Sequence, residues 1–413
     1  MEPIKITVEQ GPKLGVDLTR LERLDAYLQR MIDEKKHPFE AIRVWRKNTL
    51  VFSGEYGAQT PDGQPLRADA IYPVASVTKP FVATCAALLQ EEGRVSFYEK
   101  VQDYFPDFTG ENKDSAILLH LLCHTSGMDE LGEAEQYIKD YIKEETGTEI
   151  GNVWEFAEES EKMYAALETL RPKLGLAETY EEGEQFGPSE VLTMRAPLAS
   201  VPGTRFSYCS VGYQMWKEII ERITGETLEQ YAKRKIFDPL GLGDTCFFLP
   251  LEKRDRYVIR GPEFKGSQWM NGEHKMTDTS AGGGLKTTMD DMARFGLMFL
   301  NGGKLDGKKI LSPASVKLMT KNHNADVPDS FWFGRLMAAN WGLGWDIKGE
   351  RKIDELGMLR GARSYNHGGY GGARLLIDPD YDLVLAIYIC EKENLSVYDD
   401  MGSAVDILYG ALD

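Results

Sequence analysis

Ser76-Val77-Thr78-Lys79 opens the stretch SVTKPFVATCAALLQEEG, residues 76–93. Phe81, Val82, Cys85, Leu88 and Leu89 recur at helical spacing. Pro80 falls in the first turn and Gly93 supplies a stop, so the pattern predicts a helix from Ser76 to Glu92. This is the only Ser-x-x-Lys in the chain. Positions i and i+3 share a helix face, so the Lys79 amine can reach the Ser76 hydroxyl. A serine hydroxyl is a poor nucleophile until a base takes its proton. The helix N-terminus also favours the negative charge that then develops. On these four residues alone, an N-capping serine followed by a surface lysine is an equal alternative.

On the N-terminal side of this stretch, Leu21, Leu24, Leu28 and Met31 give Leu18 to Ile32 an apolar helical stripe. Ala41 to Trp45 and Thr49 to Ser53 read as two strands joined at Lys47-Asn48, a hairpin. Residues 94 to 250 are mostly helical by pattern. Arg374 to Ile377 and Leu383 to Ile389 form a second hairpin around Asp378-Pro379-Asp380, and an amphipathic segment runs from Val397 to Leu412. Strands at both chain ends can share one sheet if the helical stretch is an excursion from it. That predicts two lobes, with a small-molecule site where they meet.

Two further stretches carry chemistry-bearing residues. Pro202-Gly203-Thr204-Arg205-Phe206-Ser207-Tyr208-Cys209-Ser210 is a turn signal and a short polar-aromatic run before a helical pattern, Tyr213 to Ile223. Tyr208 and Ser210 would sit on a loop, where reacting groups concentrate. A tyrosine titrates near 10, and a neighbouring ammonium would favour its phenolate. A packing tyrosine is the plainer alternative. His367-Gly368-Gly369-Tyr370-Gly371-Gly372 precedes the Arg374 strand. Its glycines either let the backbone of an edge strand approach a ligand and offer it an N–H, or simply form a tight strand entry.

Composition narrows the classes. The chain has 413 residues, 42% hydrophobic and 27% charged, ordinary for a globular protein. The longest apolar run, Leu383 to Cys390, is far short of the roughly 20 residues of a membrane span. A net charge of −17 disfavours nucleic-acid binding. Residues 129 to 190 hold 18 acidic and 5 basic residues, a balance of −13 that leaves −4 elsewhere. A solvated helical face explains this block, with charge screening of substrates as the lesser reading. Cys85, Cys123, Cys209, Cys246 and Cys390 are odd in number and lack Cys-x-x-Cys spacing. Reduced thiols and a cytoplasmic location are expected, since no apolar leader is visible at the N-terminus.

Common signatures fail. There is no Gly-x-Ser-x-Gly elbow. Gly302 to Lys309 (GGKLDGKK) has Lys309 where a P-loop needs Ser or Thr, and it follows a helical pattern, so it reads as a polar turn. His120 and His124 stand at i, i+4, but Leu121 replaces the metalloprotease glutamate. The His124-Thr125-Ser126-Gly127 segment reads as a helix end, so both histidines are expected to be structural.

Taken together, Ser76-x-x-Lys79, Tyr208-x-Ser210 and His367-Gly368-Gly369 resemble the serine β-lactamase and penicillin-binding-protein superfamily. The class C-like branch, with family VIII carboxylesterases and D-aminopeptidases, is the nearest in pattern. HLLCHTSGM (120–128), PGTRFSYCS (202–210) and AGGGLKTT (281–288) are similar to the same branch, in the same order, over about residues 20 to 410. The resemblance implies an α/β (α+β) fold. A mixed, mainly antiparallel sheet lobe is expected from residues 1–75 and 255–413. A mostly helical lobe is expected from 76–254, carrying the Ser-x-x-Lys helix and the acidic insertion at 129–190.

The resemblance further implies Ser76 as the acylated nucleophile, Lys79 as its proton partner and Tyr208 as the proton shuttle. The N–H groups of Ser76 and Tyr370 would form the oxyanion hole, while Ser210, His367, Gly368 and Gly369 would bind substrate. Whether Lys79 or Tyr208 is the acylation base stays open. Two departures bear on substrate. Ser210 replaces the usual asparagine, and His367 replaces the lysine of the β-lactamase Lys-Thr-Gly motif. Histidine is mostly neutral at pH 7, so a neutral ester or amide fits better than an anionic β-lactam.

A serine hydrolase acting on small esters is therefore the favoured expectation. A D-amino-acid peptidase or amidase with the same site comes second. A catalytically weak binding or assembly module comes third, and β-lactamase activity is expected to be weak at most. No cofactor, metal, nucleic acid or membrane partner is expected, and a homo-oligomer is compatible with the pattern. Tyr137, Tyr141, Trp154, Phe156, Tyr164, Phe331, Trp332 and Trp341 are candidate walls of the acyl pocket.

Overall fold

The computed structural model describes residues 3–153, 157–179, 185–264, 266–332, 335–351, 354–391 and 398–413. The elements that position the site begin with α1 (Leu18–Asp33), β1 (Phe39–Arg46), β2 (Thr49–Gly57) and α2 (Thr78–Glu91). The helical stretch contributes α3 (Leu118–Leu122), α4 (Glu133–Thr146), α5 (Ala157–Thr169), α6 (Pro188–Arg195) and α7 (Val211–Thr224). The chain then returns through α8 (Met289–Leu300), β3 (Asp346–Ile347), β4 (Tyr365–Gly369), β5 (Ala373–Asp378), β6 (Leu383–Ile389) and α9 (Tyr398–Tyr409).

The six strands form one antiparallel sheet in the order β2-β1-β6-β5-β4-β3, built from both chain ends as expected. Lys47 and Asn48 both adopt positive φ (47° and 59°), the conformation a two-residue hairpin turn requires. β6 lies between β1 and β5 and every one of its residues is buried. Its alternation explains this. Leu383, Leu385, Ile387 and Ile389 join a cluster with Leu21, Leu24 and Leu28 of α1 and Met401, Val405 and Leu408 of α9. On the opposite face Val384 meets α8, where a Cβ on Gly296 would stand 2.7 Å from Val384 Cγ1. A strand covered on both faces gains from apolar side chains at every position, which is why it reads as an unbroken run.

Two compact units are resolved, residues 1–88, 226–323 and 340–413 in one and 89–225 with 324–339 in the other. The sheet unit therefore reaches past the boundaries at 75 and 255 expected from sequence. It takes in the Ser76–Lys79 turn because Phe81 of α2 stacks on Phe295 of α8 at 3.7 Å. It takes in residues 226–254, which are tied to α8 where Arg294 Nε donates to the Leu240 carbonyl (2.9 Å) and Asp291 accepts from the Asp244 N–H (2.8 Å). The helical unit has its own core of Ile138, Ile142, Met163, Leu167, Leu170, Leu174 and Leu192. Some of its acidic residues are paired, as in Glu135–Lys139 at 2.6 Å and Glu149–Lys143 at 2.7 Å. Among the described residues no helix is long and apolar enough to cross a membrane.

Candidate active site

Ser76 lies in a 3-10 turn, Ala75–Val77, that leads into α2, so the α-helix proper begins at Thr78 and not at Ser76. Ala75 holds φ at +43°, rare for a non-glycine residue and costly by about 1–3 kcal/mol. Surrounding bonds fix the turn. Thr78 Oγ1 donates to the Ala75 carbonyl (2.6 Å) and accepts from Leu285 N–H (3.0 Å), while Val74 N–H donates to the Leu285 carbonyl (3.2 Å). Lys79 is fully buried, which removes the surface-lysine alternative. Its Nζ donates to Ser76 Oγ at 2.9 Å and to the Gly282 carbonyl at 2.7 Å. An unpaired buried ammonium would be expensive; here its orientation is set from one side by a carbonyl and from the other by the serine.

His367, Gly368 and Gly369 form the end of a separate strand, β4, which precedes the Arg374 strand. β5, which contains Arg374, lies inside the sheet between β4 and β6, so the edge-strand expectation belongs to β4 instead. The two-residue β3 covers only Tyr365 and Asn366, and the remainder of β4 runs against the serine turn. A Cβ on Gly369 would stand 2.1 Å from the Val74 carbonyl oxygen, so only glycine permits this approach. Tyr370 follows on the turn into β5 and is exposed.

His367 is fully buried. Burial first, and the Lys79 charge second, push it down to about 3. Its Nδ1 faces the Gly344 carbonyl at 2.8 Å, which can only accept, so Nδ1 carries the proton of a neutral ring. The positive charge beside β4 comes from Arg374. Its guanidinium donates to Asn366 Oδ1 (2.7 Å), and its Cζ lies 2.7 Å from where a Cβ on Gly368 would be. Sequence reasoning missed this residue; its register opposite Gly368 was the available signal.

Tyr208 belongs to the helical unit, on the loop before α7. His124 builds that loop: its carbonyl accepts from Ser207 N–H (2.8 Å), its Nδ1 accepts from Cys209 N–H (3.1 Å), and its ring stacks on Tyr208 with centroids 4.1 Å apart. His124 is buried at a φ of +57°, the helix-end conformation the sequence suggested. His120 is likewise structural, accepting from Ile117 N–H (3.3 Å), and burial lowers it to about 4. Ser210 stands at the N-cap of α7 without a side-chain cap bond, and its N–H donates to Glu130 Oε2 at 2.7 Å.

The beta-lactamase family model matches residues 24–401. The chain belongs to the beta-lactamase family. That family comprises serine hydrolases, esterases and peptidases. Among curated proteins, an uncharacterized protein of Mycobacterium tuberculosis is 26% identical over 391 residues, 88% of this chain and 87% of its own. A putative D-alanyl-D-alanine carboxypeptidase of Salmonella enteritidis is 25% identical over 423 residues, 92% of this chain and 85% of its own. Among solved structures, a family VIII carboxylesterase superposes with a TM-score of 0.69 at 18% identity, covering 95% of this chain and 98% of its own, which shows the shared fold.

In this beta-lactamase-family chain the expected pocket walls divide. Tyr137 and Tyr141 of α4 pack against the core of the helical unit, and Tyr164 of α5 is exposed. Trp341 is buried with its ring edge-on to His367 at 5.6 Å. Trp154, Phe156 and the side chains of Phe331 and Trp332 lie outside the described residues. The Gly302–Lys309 segment is a small hairpin, Lys304-Leu305 paired with Lys308-Lys309.

Proposed function

We propose that the chain is a carboxylesterase-type serine hydrolase that forms an acyl-enzyme on Ser76. The observation that carries this reading is the buried Lys79 Nζ, 2.9 Å from Ser76 Oγ and oriented by the Gly282 carbonyl at 2.7 Å. The Ser76 oxygen attacks the ester carbonyl carbon while its proton passes to a base, either the neutral Lys79 amine or the Tyr208 phenolate. The N–H groups of Ser76 and Tyr370 receive the tetrahedral oxyanion; one such donor is worth about 10²–10³ in rate. The C–O bond to the alcohol breaks, and the alcohol leaves with a proton supplied through Tyr208. Water then attacks the acyl carbon, gives a proton back to the same pair, and releases the acid with Ser76 restored. The neutral His367 beside this centre supports an uncharged ester, since no lysine ammonium waits there for a carboxylate.

Arg374 favours a second reading, a peptidase or amidase acting on a substrate that ends in a carboxylate. Its guanidinium crosses Gly368, next to the position where a β-lactamase carries its motif lysine. The 25% identity to the Salmonella protein described as a putative D-alanyl-D-alanine carboxypeptidase supports the same reading.

Three chromogenic substrates separate the readings: a p-nitrophenyl ester, a D-amino-acid p-nitroanilide and a cephalosporin. The first reading expects ester turnover to exceed the other two by at least about tenfold, with a fluorophosphonate captured on Ser76 in the mass spectrum. Protein that never labels at Ser76, and whose activity survives Ser76→Ala, has another function.

A further inference from the structure

Three charged side chains of the sheet unit cluster beside the serine turn with no part in the reaction above: Lys275 and Lys286, both fully buried, and Asp278, partly buried. Lys275 Nζ donates to Asp278 Oδ2 at 2.7 Å and to the Gly283 carbonyl at 2.8 Å, and sits 4.0 Å from the centre of the Trp269 ring. Lys286 Nζ donates to the Asp278 carbonyl at 2.8 Å and to the Phe247 carbonyl. Asp278 Oδ1 accepts from Ser280 N–H at 2.8 Å, and Gly284 N–H closes the turn onto the Ser280 carbonyl at 2.8 Å. The turn is packed without slack: a Cβ on Gly284 would stand 2.7 Å from Asp278 O and from both Ser280 N and O.

Lys275 pairs with the Asp278 carboxylate and Lys286 with the Asp278 backbone carbonyl, and burying two lysine side chains here is expensive if the only purpose were packing. Their remaining N–H groups are spent on backbone carbonyls. The consecutive carbonyls of this turn serve two lysines, Gly282 that of Lys79 and Gly283 that of Lys275. The two carbonyls belong to adjacent peptide planes of a tightly packed turn, so holding the Gly283 carbonyl narrows the room in which the Gly282 carbonyl can reorient.

We propose that Lys275 is a positioning residue for the reaction, clamping the 278–284 turn through the Gly283 carbonyl so that Gly282 aims the Lys79 amine at Ser76. The proposal rests on the reading of Lys79 as the proton partner of Ser76. Lys275 itself touches no reacting atom.

Lys275→Met and the double variant Lys275→Met/Asp278→Asn test this in the full chain. The single variant leaves the partly buried Asp278 carboxylate without its Lys275 partner, so Tm falls. The double variant removes both charges and recovers most of the lost Tm. A clamp predicts that kcat and the fluorophosphonate labelling rate stay down about 10–100-fold in the double variant, with KM changed less than about threefold, because small misplacements of a reacting group cost that much. A kcat that recovers together with Tm, or a single variant with lower Tm and wild-type kcat, overturns the proposal. If the single variant does not fold, the double variant decides alone. Hydrogen exchange on the wild type adds a test free of substitutions: the amides of Gly284 and Leu285 are expected to be as protected as those of β5, and exchange within minutes refutes a rigid clamp. Absence of Ser76 labelling in the wild type would instead sink the hydrolase reading and is seen separately.

Discussion

Replacing Gly369 by alanine puts a methyl group 2.1 Å from the Val74 carbonyl oxygen and 3.3 Å from Ala373 Cβ. The first neighbour is backbone, and ordinary van der Waals contact begins near 3.4 Å. The end of β4 and the Val74–Ser76 turn must therefore separate by about 1 Å, since a shift of this size is what restores contact distance. Overpacking of this kind costs roughly 1–3 kcal/mol of stability, which at about 2–4 °C per kcal/mol lowers Tm by several degrees and leaves the protein folded at 25 °C. Catalysis is hit harder. A 1 Å misplacement of a reacting group costs about 10²-fold, and loss of an oxyanion donor costs about 10²–10³-fold, or 2.7–4 kcal/mol. The expected result is a kcat/KM for a p-nitrophenyl ester at least about 10²-fold below wild type, with thermal unfolding still cooperative. Gly243→Ala is the control, because a Cβ there meets nothing within 4 Å. A Gly369→Ala enzyme within threefold of wild type would refute the placement of the oxyanion donors between β4 and the serine turn.

His124→Phe keeps an aromatic ring against Tyr208 but leaves the Cys209 N–H without its acceptor, which costs about 1–3 kcal/mol; kcat is expected to fall about tenfold or more while KM changes little, measured by steady-state ester kinetics. Ser210→Asn restores the longer carboxamide of the family motif at the N-cap of α7 and is expected to raise the ratio of amide to ester turnover; a lower ratio counts against the account of that position. Glu40 is buried in β1, and among the described residues neither of its carboxylate oxygens has a hydrogen-bond partner. Burial first, then the Asp400 charge, raise it from 4.5 to about 9. A raised pKa stabilises the fold fully below about 4.5 and loses that contribution as pH rises to about 9, with a slope of up to about 1.4 kcal/mol per pH unit. Glu40→Gln is expected to flatten the fall of Tm between pH 5 and 9, followed by thermal unfolding across that range; an unchanged slope would show that Glu40 is ionised in the folded state.

The long elements were legible because their patterns follow from simple packing. The stripe Leu21, Leu24, Leu28, Met31 marks α1, Lys47-Asn48 marks a hairpin, and Leu383 to Ile389 is apolar throughout because both its faces are covered. The Ser-x-x-Lys turn was legible because i, i+3 spacing on one helix face is local geometry. β4 escaped because His367-Gly368-Gly369 has no strand propensity; its pairing with β5 and the approach of Val74 impose the extended form. The cluster of Lys275, Asp278 and Lys286 escaped for a related reason. Charged residues in sequence read as surface, and only the fold shows two buried lysines gathered on one aspartate turn. His124 was read correctly as structural, yet its partner, the Tyr208 loop 85 positions away, is a tertiary fact.

β1 pairs with β6 from Glu40–Ile389 to Arg46–Leu383. During synthesis the first hairpin leaves the ribosome about 340 residues before the strand that completes it. At translation rates of about 5–20 residues per second it waits roughly 17–70 s with one edge unmatched, far longer than local helices need to form. Residues 89–225 emerge during that interval with a core of their own and can collapse first. The nascent chain is thus vulnerable at the open side of β1, and holdase chaperones should find their strongest hold there until residue 389 clears the exit tunnel.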